Sequence, residues 1–193
     1  MTRNGRTLQS GFLMRRKPFP HFIADEFFTK TESKMLLKWL ETSQEWKQTV
    51  GSYFDYDRIL VGSAKLPAPV SRLLKSRSIE RLRELVEEHF KREMSTGARI
   101  MAHRLRPGNG IGLHTDESVV GVVLNIYLNR HWDDAYGGHL VLFNSNNERD
   151  VASIIRPEHG RAVALLVDSK SFHAVSEVCK GQRFAISYFF RAL

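Results

Sequence analysis

The chain has 193 residues, 42% of them hydrophobic, with a formal net charge of +8 and one cysteine. That length and apolar share fit a single domain with its own core, and no run of about 18 apolar residues offers a membrane span. Cys179 alone excludes an intramolecular disulfide framework and a multi-cysteine zinc site, and the only apolar patch of the basic start, Phe12 to Met14, is too short for a signal peptide, so a cytoplasmic location is expected.

In chain order, residues 1–17 carry Arg3, Arg6, Arg15, Arg16 and Lys17 and no acid, and read as a basic N-terminal segment with scope for flexibility. "KPFPHFIADEFF" leads into a short strand. Thr31 is placed to cap a helix with Glu32 in its first turn, and Met35, Leu36, Trp39 and Leu40 give that helix an apolar stripe. "VGSYFDYDRILVGSAKLPAPV" has aromatics, glycines and two prolines without a sustained period, and reads as an irregular loop or short hairpin that can cover a site. "SRLLKSRSIERLRELVEEHFKRE" repeats the helix signature, with Ile79, Leu82, Val86 and His89 or Phe90 on one side. Its seven basic and five acidic residues interleave as on a solvated helix face, so the positive net charge is read mainly as surface charge; charge alone leaves a nucleic-acid partner open.

From Arg99 onward the pattern turns to β. "ARIMAHRL", "VVGVVLNIYL", "HLVLF", "VASII", "RAVALLV", "FHAVSEV" and "RFAISYFF" are seven β-rich runs separated by turn residues. Seven strands spaced in this way predict a β-sandwich or jelly roll, with the preceding helices packed on one outer face.

"GLHTD" places His114 and Asp116 two apart. On a strand they share a face, so both side chains can turn toward one ion. The pair alone is common enough to decide nothing, and a third ligand is required. His173, opening a strand after a turn, is the strongest candidate, and Arg183 follows ten residues later at the start of the last strand. A metal triad with an arginine one strand away suits a small dicarboxylate that chelates the metal and salt-bridges the arginine. Alternation puts Arg183, Ala185 and Ser187 on one face of the last strand, and Asn125 and Tyr127 on one face of the first long one. The other histidines, His21, His89, His103, His131, His139 and His159, read as surface or core residues.

The four stretches "PGNGIGLHTD", "NIYLNRHWDDAYGGHLVLF", "SFHAVSEV" and "GQRFAISYFF" together resemble the Fe(II)- and 2-oxoglutarate-dependent dioxygenases, on the prolyl-hydroxylase branch. The second stretch is similar to the oxygen-sensing prolyl hydroxylases, and "PFPHFI" with "SFHAVSEV" to the ribosomal-protein prolyl hydroxylases. The resemblance implies a double-stranded β-helix over residues 99–193, supported by residues 18–98, which hold the helices and a lid, all within one domain over 18–193. It implies that His114, Asp116 and His173 form a two-His-one-carboxylate triad for Fe(II) with open positions for 2-oxoglutarate and O2. Arg183 would bind the distal carboxylate of 2-oxoglutarate, helped by Tyr127 and, more weakly, by Ser187 beside Asn125. The chain departs from the oxygen-sensing enzymes in two places: the path from the glycine-rich turn to His114 is shorter, and Arg106 stands where they have a tyrosine. The expected substrate-facing residues are Tyr53, Phe54, Tyr56, Arg58, Arg106 and Trp132. The implied reaction hydroxylates an unactivated C–H bond, most simply of a prolyl residue in a protein or peptide, with succinate and CO2 as co-products. The presence of Asp116 favours hydroxylation over halogenation. A hydroxylase of a free amino acid or natural-product intermediate is the alternative. A nucleic-acid demethylase and a non-enzymatic binding module stand further off.

Overall fold

The computed structural model describes residues 11–75, 77–116 and 121–193. Among them run twelve strands and three helices. An eight-stranded antiparallel sheet has the order β1 (Leu13–Arg15), β2 (His21–Ala24), β10 (Ala162–Val167), β7 (Gly121–Tyr127), β12 (Arg183–Arg191), β5 (Arg99–Leu105), β4 (Asp55–Leu60) and β3 (Lys47–Val50). A four-stranded sheet faces it, in the order β6 (Ile111–His114), β11 (His173–Val175), β8 (Leu140–Phe143) and β9 (Val151–Ile155). Together they form the expected jelly roll, and all seven strands read from Arg99 onward are present.

Period-2 alternation builds both layers of the core. On β12 and β7, Phe184, Ile186, Tyr188 and Phe190 with Val122, Leu124 and Ile126 pack on one side with Leu36, Leu40, Leu74 and Val86 from the helices. The intervening Ala185, Val123 and Tyr127 pack on the other side, with Leu140, Leu142 and Ile155 of the small sheet. The helices therefore cover the outer face of the large sheet, while the opposite face of the same strands lines the interior where the site lies. No helix among the described residues is long and apolar enough to cross a membrane.

Two local expectations are corrected. The first helix, α1 (Lys30–Thr42), is capped by Thr29 rather than Thr31. Its hydroxyl accepts from the Glu32 backbone N–H while the Glu32 carboxylate takes the Thr29 N–H, a reciprocal box that needs glutamate three residues on. The second helical stretch is two helices, α2 (Ala68–Leu74) and α3 (Arg77–Phe90). Lys75 is extended, and continuing the period of Leu73 and Leu74 would have turned Arg77 and Ser78 inward. The candidate lid takes the hairpin form of the two that its sequence allows: β3 and β4 pair with each other and extend the large sheet by pairing with β5. Leu13–Arg15 pairs with β2, so the front half supplies four strands to the sheet, while residues 1–10 lie outside those described.

Candidate metal centre

The strand that the sequence reading missed carries the first ligand. "RPGNGIG" reads as turn, yet Ile111–His114 forms β6 and pairs with β11, so that His114 and His173 are register partners. Gly112 permits this. Its N–H donates to the Tyr53 carbonyl at 2.6 Å, and a Cβ there would sit 3.3 Å from Tyr53 Cβ, so the hairpin loop closes down over β6. Asp116 lies two residues past the strand end rather than on the strand.

The three ligand-bearing atoms of His114, Asp116 and His173 fall within 4.8 Å of one another. His114 Nε2 is 3.8 Å from Asp116 Oδ1, and His173 Nε2 is 3.5 Å from Asp116 Oδ2. Each imidazole donates its Nδ1–H to the carbonyl two residues earlier, Gly112 for His114 and Ser171 for His173, both at 2.8 Å. A carbonyl can only accept, so the tautomer is fixed and both Nε2 lone pairs are left for a shared ion. Burial, and then the facing His173, hold His114 below the ordinary imidazole range. Burial works against ionising Asp116, but the facing imidazoles of His173 and His114 outweigh it and hold its carboxyl below the usual carboxylate range. Two imidazole nitrogens and one carboxylate suit Fe(II), with three protein donors leaving other positions open.

Across the interior, Arg183 is 3% exposed and has no carboxylate partner among the described residues. Its Nε donates to the Gly138 carbonyl at 2.7 Å, and its guanidinium lies 4.9 Å from the centre of the Tyr127 ring. Gly138 has φ +64°, and a Cβ there would come within 2.9 Å of Arg183 Cδ and 3.1 Å of Trp132 Cζ2. The tandem glycines of "YGGH" therefore form a cradle for the arginine. Trp132, buried and bonded through Nε1 to the Gly137 carbonyl at 2.8 Å, packs into that cradle rather than at an opening. The Tyr127 hydroxyl is buried without a partner, and burial pushes its pKa up against the pull of Arg183. A buried unpaired cation beside an orphaned hydroxyl is costly unless an anion completes it, so the donors here fit a ligand carboxylate. Deeper on the same face, Ser187 donates to Asn125 Oδ1 at 2.6 Å across the β12–β7 ladder.

At the mouth, the Tyr53 ring stacks on His114 with centroids 5.2 Å apart, and Phe54 and Tyr56 continue the row at 5.1 and 5.2 Å. Arg58 follows on the face of β4 that carries Tyr56. Arg106 is drawn away: it is half exposed and salt-bridged at 2.7 Å to Asp57, which also holds Arg104.

One residue of this wall was read as ordinary core. His103 on β5 packs its ring 5.0 Å from Tyr56, and its Nε2 is buried without a partner. Burial, then the charge of Arg183, lowers its pKa to about 4. Within "ARIMAHRL" nothing local marks it.

A separate groove of about 970 Å³ between the β1–β2 edge and β9 contains none of the triad. Three of its four acids are matched, Asp25 with Arg161 at 2.7 Å, Asp134 with Arg156 at 2.7 Å and Glu158 with Arg161 at 3.4 Å, and no metal-ligand cluster lies there among the described residues.

Residues 100–191 match the model of the 2OG-Fe(II) oxygenase superfamily. The chain is similar in fold to a Pseudomonas putida prolyl-4-hydroxylase, with TM-score 0.71, 16% identity, and 89% of this chain and 91% of that one covered. It is similar also to a Trichoplax adhaerens prolyl hydroxylase, solved with a peptide fragment of the hypoxia-inducible-factor oxygen degradation domain (TM-score 0.72, 19% identity, 89% and 83% covered). A viral collagen prolyl hydroxylase from Paramecium bursaria Chlorella virus-1, solved with 2OG, follows at TM-score 0.64 and 13% identity, with 90% and 96% covered. A comparison with curated protein sequences finds no match.

Proposed function

With residues 100–191 placing the chain in the 2OG-Fe(II) oxygenase superfamily, whose members use Fe(II), 2-oxoglutarate and O2, we propose that it hydroxylates an unactivated C–H bond of a prolyl residue in a protein or peptide. The observation that carries this reading is the pairing of a preformed His114–Asp116–His173 set with a buried, uncompensated Arg183 across the same interior. Fe(II) with 2-oxoglutarate and O2 supplies a two-electron oxidation that puts one oxygen atom into the substrate and leaves succinate and CO2.

The protein's part is positional and electrostatic. His114 and His173 present Nε2 with the tautomer locked, and Asp116 adds the single negative charge that matches the metal only in part. Arg183 takes the distal carboxylate of the cosubstrate, and the Tyr127 O–H donates to it; both groups are held dry, where such bonds are strong. Asn125 and Ser187 form a closed polar pair on the floor and limit how deep a ligand can sit. Tyr53, stacked on His114, shields that side of the metal from water. Arg106, committed to Asp57, is left out of the cosubstrate subsite, and Trp132 serves Arg183 rather than the substrate.

Prolyl hydroxylases among the fold neighbours and the open aromatic mouth support a residue presented by a larger partner. A free amino acid as substrate is the second reading, favoured by an uncommitted cation beside that mouth. The test is an anaerobic titration of apoprotein with Fe(II) and then 2-oxoglutarate, followed by visible absorption. A charge-transfer band that requires both additions is expected, and turnover with proline-containing peptides should then add one oxygen atom by mass. A folded protein that gives no band would overturn the reading.

A further inference from the structure

On the wall that carries His103 stands a cation, Arg58, with no ion pair among the described residues. Arg58 lies on β4, half buried, with its backbone register-paired to His103 of β5. Its neighbours on the opposite face are matched: Arg104 and Arg106 both bond Asp57, and Arg104 also stacks on Trp46. Arg58 makes no ion pair or hydrogen bond among the described residues. Strand alternation places it on the face that carries Tyr56, and Tyr56 packs with Leu105, Trp132 and Val175 into the sandwich interior. The positive charge of Arg58 reaches His103 and Tyr56, both of which also sense Asp116. His103 adds a buried Nε2 with no partner on the same wall.

A half-buried guanidinium is retained unpaired at a cost, and beside it sits an imidazole whose ring nitrogen has nothing to bond. Two unmet polar groups meet at one end of a row of aromatic rings that starts on the metal ligand His114. That arrangement separates an apolar slot over the metal from an anion-receiving end. Arg183 lies on β12, on the far side of β5, and the cosubstrate occupies it in the proposed reaction.

We propose that Arg58 and His103 form a carboxylate subsite, so that the substrate enters with its reacting carbon over the triad and a carboxylate of the same residue on Arg58. The subsite rests on the proposed function and narrows it. The substrate residue carries a free carboxylate, either as a free amino acid or as the C-terminal residue of a peptide. The planar guanidinium fork takes such a group through two parallel bonds, and the neutral imidazole donates a third.

The experiment uses the full chain loaded anaerobically with Fe(II) and saturating 2-oxoglutarate, so that Arg183 is occupied. Two matched pairs are titrated by calorimetry, with the visible band followed alongside: L-proline against L-prolinamide, and acetyl-Ala-Pro against its C-terminal amide. In at least one pair the carboxylate member should bind about tenfold or more tighter than its amide. Arg58→Gln should erase that preference, Arg58→Lys should retain part of it, and His103→Phe, which keeps the ring stack, should weaken it several-fold. All three variants should give an unchanged 2-oxoglutarate titration. Preference confined to L-proline identifies a free amino acid, and preference extending to the dipeptide identifies a chain end; either supports the subsite. No carboxylate preference up to about 10 mM in either pair, an undiminished preference in Arg58→Gln, or tighter binding of inorganic phosphate would overturn it. If Fe(II) and 2-oxoglutarate give no band, the proposed function fails separately. The same pairs titrated on apoprotein and on Arg58→Gln would still decide whether Arg58 receives a carboxylate.

Discussion

Arg183 and Tyr127 sit on adjacent strands with the guanidinium 4.9 Å from the ring centre; among the described residues the arginine has no carboxylate partner and the buried hydroxyl no hydrogen-bond partner. The pair is complete only with a third, anionic member. Arg183→Ala should therefore raise the 2-oxoglutarate concentration needed for half-saturation by about 100-fold, equivalent to roughly 2–3 kcal/mol, with Fe(II) binding nearly unchanged. Tyr127→Phe should cost less, about three- to tenfold. Titration of the charge-transfer band reads both. An unchanged requirement in Arg183→Ala would remove the arginine from the cosubstrate subsite.

Asp116→Ala removes the only carboxylate of the metal set and leaves two imidazoles. Fe(II) affinity should fall by at least about 100-fold, and hydroxylation should vanish. Equilibrium dialysis with the metal separates the two effects. Full hydroxylation by this variant would take Asp116 out of the triad.

Gly138→Ala tests the cradle rather than the arginine. A side chain at φ +64° is strained, and its Cβ would push on Arg183 Cδ from 2.9 Å. The expected cost is about 1–3 kcal/mol in denaturant unfolding, together with a weaker 2-oxoglutarate titration. Loss of stability with cosubstrate affinity intact would show that the arginine moves aside freely.

His103 gives the fold an acid sensitivity with a definite sign. Its folded pKa, about 4, lies below the unfolded value of 6.5, so the unfolded chain takes up the proton first as pH falls. The ring contributes nothing to this pH dependence above about pH 6.5; below it stability declines, and the full loss of roughly 3 kcal/mol is reached near pH 4. His103→Phe should flatten that part of the stability–pH curve, measured by urea unfolding between pH 7 and 4. An identical slope in the variant would contradict the assignment.

Thr29→Ala should lower stability by about 1 kcal/mol, because it opens the reciprocal box at the start of α1. The chemistry of the site should be untouched, which makes this variant a control for the others.

What could be read in the sequence followed from how local its cause was. The last strand, "RFAISYFF", alternates cleanly, so the inward face of Arg183 and Ser187 and the outward face of Phe184, Ile186 and Tyr188 are legible from period 2 alone. β6 was not legible, because only Gly108 of "GNGIG" serves a turn and the other two glycines are there for close approach: Gly110 meets the Val175 backbone, and Gly112 admits the Tyr53 backbone, 59 positions away in sequence (112 − 53). The β3–β4 hairpin was half legible, since its aromatics serve the mouth rather than a core stripe. His103 was hidden for a different reason. It occupies a strand position that any hydrophobic residue could fill, and its unmet nitrogen is defined only by what three other strands fail to offer. The α2–α3 break could have been found by extending the apolar stripe of Leu73 and Leu74 one turn further, where it meets Arg77 and Ser78.

His114 and His173 belong to the four-stranded sheet and Arg183 to the eight-stranded one. A ligand that touches both must bridge the gap between the layers, and that gap is set by Leu140, Val163 and Ala185 packing between them. The sandwich thus works as a ruler: its thickness, rather than any one contact, fixes the length of dicarboxylate that reaches from metal to guanidinium. Enlarging Ala185, register partner of Tyr127, or shrinking Leu140 should therefore reset that length, so that core volume between the sheets selects among dicarboxylates of different chain length.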